Sequence, residues 1–475
     1  MTQLAPAMKT DVQKIERIFQ SQLSNQYKVG GTTYKERLAK LDKLFDAVNK
    51  YKQEIRDAMY ADFKKPAAEV DLTEIFIVTT EIKHARRQLR QWMSKEKVAT
   101  PMSMMGSSSW IQYEPKGVVL IISPWNFPVN LTFGPLISTI AAGNCVVIKP
   151  SEHTPHTAVV MQKIIDEIYD ENEIAMIQGG VEVSTELLKL PWNHIFFTGA
   201  PSIGKIVMQA AAKHLTSVTL ELGGKSPTIV DETASMSAVA KRMVWGKFSN
   251  NGQVCIAPDY VLVHESKKDA LIKAVQDSVK AFYGDDPSKS EDYCRIVNDR
   301  HHARVQSMIE DAVSKGGKVV MGGQSIPDQD YIAPTMITDA PMDSKVMTEE
   351  IFGPVLPIQT YSNLDDAIDL INAGEKPLAL YIYSKNQKNI DKVLKNTRAG
   401  GTCINNSDVH FFNTNLPFGG SNNSGIGKSH GKYGFLAFSN ARSVLKQNIP
   451  GALEMLMPPY TGAKQKLIDL TIKWF

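Results

Sequence analysis

From residue 117 onward the chain alternates short apolar runs with amphipathic stretches, and this alternation constrains its fold more than any other feature. Residues 118–122 and 145–148 have the pattern of buried strands, and residues 129–142 and 157–169 that of the helices following them. Because parallel strands are joined through helical crossovers, the pattern predicts βαβ units around a parallel sheet. Sheets of this open α/β type bind nucleotides at the carboxyl ends of their strands.

The strand and helix alternation restarts after residue 222, which predicts a second α/β domain ending near residue 440. The residues before 101 have helical periodicity, and residues 101–110 are typical of a loop or hairpin tip. In the tail, Leu467, Leu470 and Trp474 share one helical face among lysines. We expect this helix to pack within a dimer of the chain, in preference to lying on a membrane surface.

Composition limits the classes of protein to which the chain can belong. Its 475 residues are enough for two or three domains, and a net charge of +3 is too small to indicate a nucleic-acid partner. The four cysteines lie far apart without a C-x-x-C pair, which argues against disulfides or zinc and favours a reducing compartment. Residues 1–6 lack the pattern of a signal peptide. We therefore expect a cytoplasmic protein without a metal.

Cys255 follows a helical run that ends near residue 248, and Gly252 lies three residues before it. Glycine gives the backbone freedom to present a thiol on a turn, where a nucleophile can be exposed. A free cysteine is also one of the residue types most often buried for structural reasons. These residues alone leave both interpretations open, because thiol reactivity depends on the surroundings.

Two polar residues at predicted strand ends are candidates for acid–base and electrostatic chemistry. Glu221 ends a strand beside Gly223 and Gly224, where a carboxylate can serve as a general base or be solvated. Asn126 closes the first strand, where its amide can stabilise an oxyanion or cap the next helix. Neither residue is decisive by itself.

Two further stretches are candidates for nucleotide contacts. The segment from Gly199 to Ile206 resembles a phosphate-binding G-x-x-x-x-G-K-[ST] loop, but Ile206 replaces the hydroxyl that binds Mg²⁺. This excludes an NTPase site and leaves a helix N-terminus suited to a pyrophosphate. Lys149 and Glu152 follow another strand, where they can bind ribose hydroxyls or form a solvated ion pair.

Taken together, these stretches resemble the aldehyde dehydrogenase superfamily, most closely its class 3 branch of fatty and aromatic aldehyde dehydrogenases. The resemblance covers about residues 110–440, with the motifs in the family's order. The motifs are Pro124-Trp125-Asn126, Lys149-Pro150-Ser151-Glu152, Phe197-Thr198-Gly199 with Gly204-Lys205, Glu221 through Pro227, Gly252-Gln253 with Cys255, Glu349 through Pro354, and Leu416 through Gly420. Class 3 features include the lack of a longer N-terminal arm, together with His410 and the stretch His430-Gly431-Lys432-Tyr433.

The resemblance implies a role for each motif residue. Cys255 is the expected nucleophile, Glu221 the general base, and Asn126 with the backbone N–H of Cys255 the oxyanion hole. The expected contacts of the cofactor, NAD or NADP, are Lys149, Glu152, Gly199, Gly204, Glu350 and Phe352. The expected substrate-pocket residues are Phe127 and His410.

The same resemblance implies the fold and the assembly. The expected fold is a Rossmann-like cofactor domain, an α/β catalytic domain and a small oligomerisation hairpin. The ranges are 1–97 and 114–222 for NAD(P) binding, 223–440 for catalysis, 98–113 and 441–450 for oligomerisation, and 451–475 for the tail. A homodimer is expected, as is a position of Cys255 in the cleft between the two larger domains.

The implied reaction is oxidation of an aldehyde to the carboxylic acid through a thiohemiacetal and a thioester on Cys255. The absence of arginine clusters near the motifs favours apolar aldehydes over those with a carboxylate. The resemblance to the fatty and aromatic branch implies medium- or long-chain aliphatic or aromatic aldehydes. Val254 and Phe127 depart from common family residues, which bears on substrate preference. The alternatives are a coenzyme A-dependent acylating dehydrogenase, against which Glu221 argues, and a non-redox thiol hydrolase or binding protein on the same fold.

Overall fold

The structure is a computed structural model that describes residues 11–474. The prediction that residues 1–6 do not form a signal peptide concerns residues outside the described range. The helices are α1 (Val12–Gly30), α2 (Tyr34–Lys50), α3 (Lys52–Phe63), α4 (Ala67–Val70), α5 (Phe76–Trp92), α6 (Asn130–Ala142), α7 (Pro155–Ile168), α8 (Val181–Leu187), α9 (Pro201–Ala212), α10 (Met236–Phe248), α11 (Lys268–Tyr283), α12 (Asp299–Ser314), α13 (Lys345–Thr348), α14 (Leu364–Ala373), α15 (Gln387–Asn396), α16 (Gly431–Ala437) and α17 (Gly462–Trp474). A π-helical turn, Asp71–Ile75, joins α4 to α5.

The strands form three main sheets and one short two-stranded ribbon. They are β1 (Glu96–Val98), β2 (Ser107–Pro115), β3 (Val118–Ile122), β4 (Cys145–Lys149), β5 (Ile174–Met176), β6 (His194–Gly199), β7 (Ser217–Leu222), β8 (Pro227–Val230), β9 (Tyr260–His264), β10 (Lys318–Met321), β11 (Ser325–Ile326), β12 (Tyr331–Ile332), β13 (Thr335–Thr338), β14 (Val355–Tyr361), β15 (Ala379–Tyr383), β16 (Gly401–Ile404), β17 (Gly425–Ile426) and β18 (Ser439–Gln447). The predicted α/β class is confirmed.

The first sheet has six strands in the order β17-β7-β6-β3-β4-β5. All its pairs are parallel except that of β17 with β7. Strands β3 and β4 are buried along their whole length because helices cover both faces of the sheet. Successive strands are added on one side of β3 up to β5 and on its other side from β6 onward, so the strand order reverses between β3 and β6. Open α/β sheets bind ligands in the crevice at such a point.

The second sheet has seven strands in the order β10-β13-β14-β9-β8-β15-β16. Only β10 runs antiparallel to its neighbour. Val261 and Val263 of β9 pack into the core on one face, and Leu262 packs into the core on the other. This side-chain alternation is what a sheet covered by helices on both faces requires.

The third sheet is antiparallel, with β2 between β1 and β18. Strand β18 pairs with β2 over nine residues, from Ser439 opposite Pro115 to Gln447 opposite Ser107. The prediction of a loop or hairpin tip over residues 101–110 is therefore wrong for 107–110, which are strand. The serine-rich sequence hides the strand because its partner lies more than 300 residues away, where local patterning carries no signal. Among the described residues, no helix is long and apolar enough to cross a membrane.

Candidate active site

Cys255 lies on a turn a few residues after α10, as the sequence predicts. Between helix and turn, the backbone of Asn250, Asn251 and Gly252 has φ of 50°, 55° and 71°. Asparagine and glycine are the residues that tolerate this left-handed region. A Cβ on Gly252 would lie 2.3 Å from the carbonyl oxygen of Gly353, so only glycine fits there. The local sequence thus folds the chain back and leaves the thiol half-buried.

The thiol faces a cleft of about 1160 Å³ between the two large sheets. The carboxyl ends of β6 and β7 line one side of this cleft, and the amino ends of β8 and β9 line the other. Cys255 therefore lies in the cleft between the sheets, where the sequence predicts it. The lining also contains the predicted site residues Asn126, Gly199, Glu221, Glu350 and Phe352.

A second, smaller cavity of about 70 Å³ also includes Cys255 in its walls. Its walls are mostly apolar and contain Phe127, which was predicted for the substrate pocket. The apolar lining is Ile77, Phe127, Leu131, Trp245, Val254, Ile256, Phe411 and Phe412. The thiol is thus shared by a large polar cleft and a small apolar cavity.

Glu221 is buried at the end of β7, where it lines the large cleft. The Ser429 hydroxyl donates a short hydrogen bond to Glu221 Oε1, and the Thr198 hydroxyl lies 3.5 Å from Oε2. Burial raises the pKa of Glu221 to about 7, although both hydrogen bonds oppose the shift. A carboxyl with this pKa can exchange protons near neutral pH.

The Cys255 thiol has a pKa well above its ordinary value. Burial is the main cause, and the carboxyls of Glu221, Glu350 and Asp408 add electrostatic opposition to a thiolate. The thiol is therefore protonated at neutral pH in the free protein. It has to lose a proton as it reacts, and the same cleft contains two carboxyls whose pKa values lie near neutral pH, Glu221 at about 7 and Glu350 at about 8.

The side chain of Asn126 is buried and reaches the nucleophile segment. Its Nδ2 donates to the carbonyl oxygen of Gln253 at 3.0 Å, and Asn250 Nδ2 donates to the carbonyl oxygen of Asn126 at 2.9 Å. An amide nitrogen carries two hydrogens, so the second N–H of Asn126 remains available to a ligand. These bonds hold the Asn126 segment against the turn that carries Cys255.

Glu350 lines the large cleft and approaches Gly223, which lines it too. A Cβ on Gly223 would lie 2.3 Å from the Glu350 carboxylate, so glycine is required for this approach. Burial, with the charge of Asp259, raises the pKa of Glu350 to about 8. Phe352, at φ 45°, packs edge-on against Trp125 with ring centroids 5.4 Å apart.

Two basic residues that sequence reasoning missed hold the Glu350 segment in place. Arg304 donates to the carbonyl oxygens of Ile351 at 2.7 Å and of Glu350 at 3.3 Å. Lys225 donates to the carbonyl oxygen of Glu349 at 2.9 Å and pairs with Asp259. Lys225 belongs to the motif at residues 221–227, although no role was predicted for it. Arg304 carries no local sequence signal because its partners are backbone carbonyls.

The residues predicted for the adenosine and pyrophosphate contacts lie along the carboxyl ends of the first sheet. Lys149, the last residue of β4, forms an ion pair of 2.6 Å with Glu152, and both lie outside the lining of the large cleft. Gly199 ends β6 in the cleft wall. Gly204 is buried in α9, where a Cβ would lie 2.7 Å from Leu222, so its role in the structure is close packing of the helix on β7.

His410, predicted for the substrate pocket, lies outside the lining of both cavities that include Cys255. Its Nδ1 is 3.3 Å from the sulfur of Cys403, and its ring packs near Phe418. His430 instead lines a chamber of about 30 Å³ that also includes Glu221 and Ser429. No group of His, Cys, Asp or Glu in residues 11–474 is arranged to hold a metal ion.

The large cleft fits a dinucleotide in size and chemistry. Its volume exceeds the range of about 300–1,000 Å³ typical of small-ligand sites. It includes the start of α9, whose free backbone N–H groups suit a phosphate. It also includes the carboxyl groups of Glu221 and Glu350 and the thiol of Cys255. The arrangement supplies a nucleophile, an amide donor and a titrating base beside a dinucleotide-sized cleft.

The chain is similar to several known proteins over nearly its whole length. The sequence profile of the "Aldehyde dehydrogenase family" matches residues 2–444. The 4,4'-diaponeurosporen-aldehyde dehydrogenase of Staphylococcus aureus is 45% identical over 428 residues, covering 90% of this chain and 92% of that protein. Aldehyde dehydrogenase family 3 member B1 of Rattus norvegicus is 43% identical, covering 94% and 95%. The solved substrate-bound state of Staphylococcus aureus AldH has a TM-score of 0.92 at 43% identity, covering 96% and 99%.

Proposed function

Since the chain belongs to the aldehyde dehydrogenase family, we propose that Cys255, Glu221 and Asn126 carry out the family's reaction in it. That reaction is NAD(P)-dependent oxidation of an aldehyde, and the chain is an aldehyde dehydrogenase. One observation supports the assignment of the site most strongly. Cys255 is the one proposed catalytic residue that lines both the large polar cleft and the small apolar cavity. A thiol in this position can meet an aldehyde from one side and a hydride acceptor from the other.

The proposed first step is attack of the Cys255 sulfur on the aldehyde carbon, with the thiol proton leaving to a base in the cleft. The carbonyl oxygen becomes negative, and the free N–H of Asn126 with the backbone N–H of Cys255 stabilises it. Glu350 and Phe352 would hold the nicotinamide end of NAD(P), which would supply the hydride acceptor when bound. Loss of the hydride from the adduct leaves a thioester on Cys255. Proximity of the reacting groups in the cleft favours each of these transfers.

The proposed second step is hydrolysis of the thioester by water. Glu221 removes a proton from the water, which attacks the thioester carbon and expels the Cys255 thiolate. The hydrogen bond from Ser429 fixes the carboxylate at the edge of the cleft. The product is the carboxylic acid, and the thiol returns to its starting state. This use of Glu221 argues against the acylating alternative, in which coenzyme A replaces water.

Several finer properties also belong to the proposal. The apolar cavity beside Cys255 supports an aliphatic or aromatic aldehyde, and one relative is named as a 4,4'-diaponeurosporen-aldehyde dehydrogenase. For the cofactor, Lys149 and Glu152 are the proposed ribose contacts, and Glu350 with Phe352 the contacts near the nicotinamide. All four cysteines lie within the described residues and are free, which supports a reducing compartment such as the cytoplasm. We also propose that the chain forms a homodimer through β2 and β18, and that its domains have the ranges predicted from the sequence.

A screen of short aliphatic, long aliphatic and aromatic aldehydes with NAD and with NADP tests the proposed function. We expect reduced cofactor and carboxylic acid in equal amounts without coenzyme A. Dependence on coenzyme A would instead support the acylating alternative. Thioester hydrolysis without cofactor reduction would support the hydrolase.

Asn126→Ala is expected to lower kcat/KM for the aldehyde by about 10²–10³-fold, because the oxyanion loses a side-chain donor. The dissociation constant of the reduced cofactor, measured by fluorescence titration, should stay within about twofold of wild type. Asn126→Asp is the matched variant of equal size, and it should be at least as impaired since a carboxylate donates no N–H. Wild-type kcat/KM in either variant would remove Asn126 from the oxyanion hole.

The rate of turnover is expected to depend on the ionisation of Glu221. A general base works only when ionised, and the pKa of Glu221 is about 7. Where deacylation limits turnover, kcat at saturating aldehyde should fall as pH drops below about 7 and level off above it. Initial rates from about pH 5 to about pH 9 measure this profile. The inflection should be lost in Glu221→Gln, and its persistence there would assign it to another group.

A further inference from the structure

Lys65 and Glu74 form an ion pair that the proposed chemistry does not use. Both side chains are fully buried, and Lys65 Nζ lies 3.3 Å from Glu74 Oε1. Removing two charges from water is costly, so a buried pair is weak support for a role in stability alone. The pair lies between α3 and α5, in the segment that contains α4 and the π-helical turn. Its other contacts indicate what it does.

Lys65 contacts the substrate side of the site. Its ammonium lies 4.0 Å from the centroid of the Phe127 ring, within the range of a cation–π interaction. Phe127 lines the apolar cavity beside Cys255 and directly follows Asn126. A shift of the ring would therefore move the peptide that carries the proposed oxyanion donor.

Glu74 holds the other end of the same segment. Its Oε2 accepts the backbone N–H of Asn130, the first residue of α6, at 2.7 Å. A carboxylate suits this position because the first N–H groups of a helix lack intrahelical partners. Asn130 Nδ2 also donates to the carbonyl oxygen of Thr73 at 3.2 Å. The ion pair thus contacts both ends of the segment 126–130, because Lys65 contacts Phe127 and Glu74 binds the N–H of Asn130.

The neighbouring residue Glu69 extends these contacts to the nucleophile. Glu69 Oε1 accepts the backbone N–H of Asn250 at 2.7 Å. Asn250 Nδ2 then donates to the carbonyl oxygens of Asn126 at 2.9 Å and Gln253 at 3.0 Å. Burial raises the pKa of both Glu69 and Glu74, and the charge of Lys65 opposes the shift in each. Lys65 therefore interacts electrostatically with two carboxylates. Glu74 contacts the segment that carries Asn126, and Glu69 contacts the segment that leads to Cys255.

From these contacts we infer that Lys65 and Glu74 are positioning residues that hold Asn126 and the Cys255 turn in the geometry needed for attack on the aldehyde. The inference rests on the proposed roles of Asn126 and Cys255. It separates the aldehyde side of the site from the cofactor side, whose Glu350 segment is held by Lys225 and Arg304. Loss of Lys65 should therefore impair the reaction of the aldehyde and leave cofactor binding intact.

Lys65→Met removes the charge and keeps an unbranched side chain. We expect kcat/KM for the aldehyde to fall by about 10–100-fold, since a misplacement of about 1 Å can cost about 10² in rate. The dissociation constant of the reduced cofactor should stay within about twofold of wild type. Lys40→Met is the matched control, because it also breaks a largely buried ion pair, with Glu173, in a region outside the described cavities. It should keep wild-type kcat/KM.

The double variant Lys65→Met/Glu74→Gln distinguishes a positioning role of Lys65 from the effect of leaving Glu74 as an unpaired buried charge. It also replaces the single variant in the test if the single variant does not fold. Glutamine still accepts the Asn130 N–H, and Glu74 is no longer a buried charge without its partner, so the thermal stability should recover in part, while Glu69 keeps its carboxylate without Lys65. The lowered kcat/KM for the aldehyde should persist, because the Phe127 ring still lacks its contact with the Lys65 ammonium. Recovery of wild-type kcat/KM in the double variant, or a loss below about fivefold in both variants, overturns the inference. If Cys255→Ala kept wild-type turnover, the proposed function itself would fail instead.

Discussion

Replacement of Cys255 with alanine is expected to abolish aldehyde-dependent cofactor reduction, with a loss of at least about 10⁴-fold in kcat. The loss is large because both proposed steps take place on the sulfur, and Cys145, Cys294 and Cys403 lie outside the linings of the two cavities at the site. Alanine keeps the turn after α10, whose unusual backbone is set by Asn250, Asn251 and Gly252. Cofactor binding should therefore remain, and fluorescence titration measures it separately from turnover.

Cys145→Ala is the matched control for the nucleophile. Cys145 is buried in β4 of the first sheet, away from the cleft lining, so the variant loses a thiol without touching the proposed chemistry. We expect its kcat to stay within about twofold of wild type, with some loss of thermal stability from the smaller side chain. Normal turnover in Cys255→Ala would show that another group performs the attack.

Glu221→Gln is expected to separate the two proposed steps. The first turnover should release about one equivalent of reduced cofactor per site, and steady-state kcat should then fall by about 10²–10⁴-fold. Glutamine is close to glutamate in size and can still accept the Ser429 hydrogen bond, but it cannot take a proton from water. Stopped-flow absorbance of the reduced cofactor resolves the burst from the slow phase.

Ser429→Ala is a useful companion to the Glu221 variant. It removes the hydrogen bond to Glu221 Oε1 but leaves the carboxylate. Because that bond lowers the pKa of Glu221, its loss should move the inflection of kcat to higher pH. A Glu221→Gln variant with no burst and no loss of kcat would exclude Glu221 as the base.

The sheet strands of the first domain could be predicted from the sequence because helices bury them on both faces. Strands β3 and β4 are therefore continuous apolar runs, and their bounds match the predicted ones closely. Residues 107–110 could not be predicted in the same way. Their strand state depends on pairing with β18, a contact that depends on the tertiary fold.

The candidate site also contains both residues that could be predicted from the sequence and residues that could not. Cys255, Glu221 and Asn126 lie in motifs whose order along the chain is informative, and the structure brings all three to one cleft. Lys65 and Glu74 lie in an ordinary-looking amphipathic stretch, and their partners Phe127 and Asn130 are more than 50 residues away. Nothing in the local sequence separates such a buried pair from a solvated one. Only the packing of the helical segment on the catalytic turns reveals the contact.

The central claim is that the aldehyde becomes a thioester on Cys255, and intact-protein mass spectrometry of Glu221→Gln tests it most directly. After incubation with aldehyde and oxidised cofactor, the protein should gain the mass of the aldehyde less two hydrogens. Peptide mapping should place the adduct on Cys255 and leave Cys145, Cys294 and Cys403 unmodified. No adduct under conditions that reduce the cofactor, or an adduct on a different cysteine, would contradict the proposed chemistry.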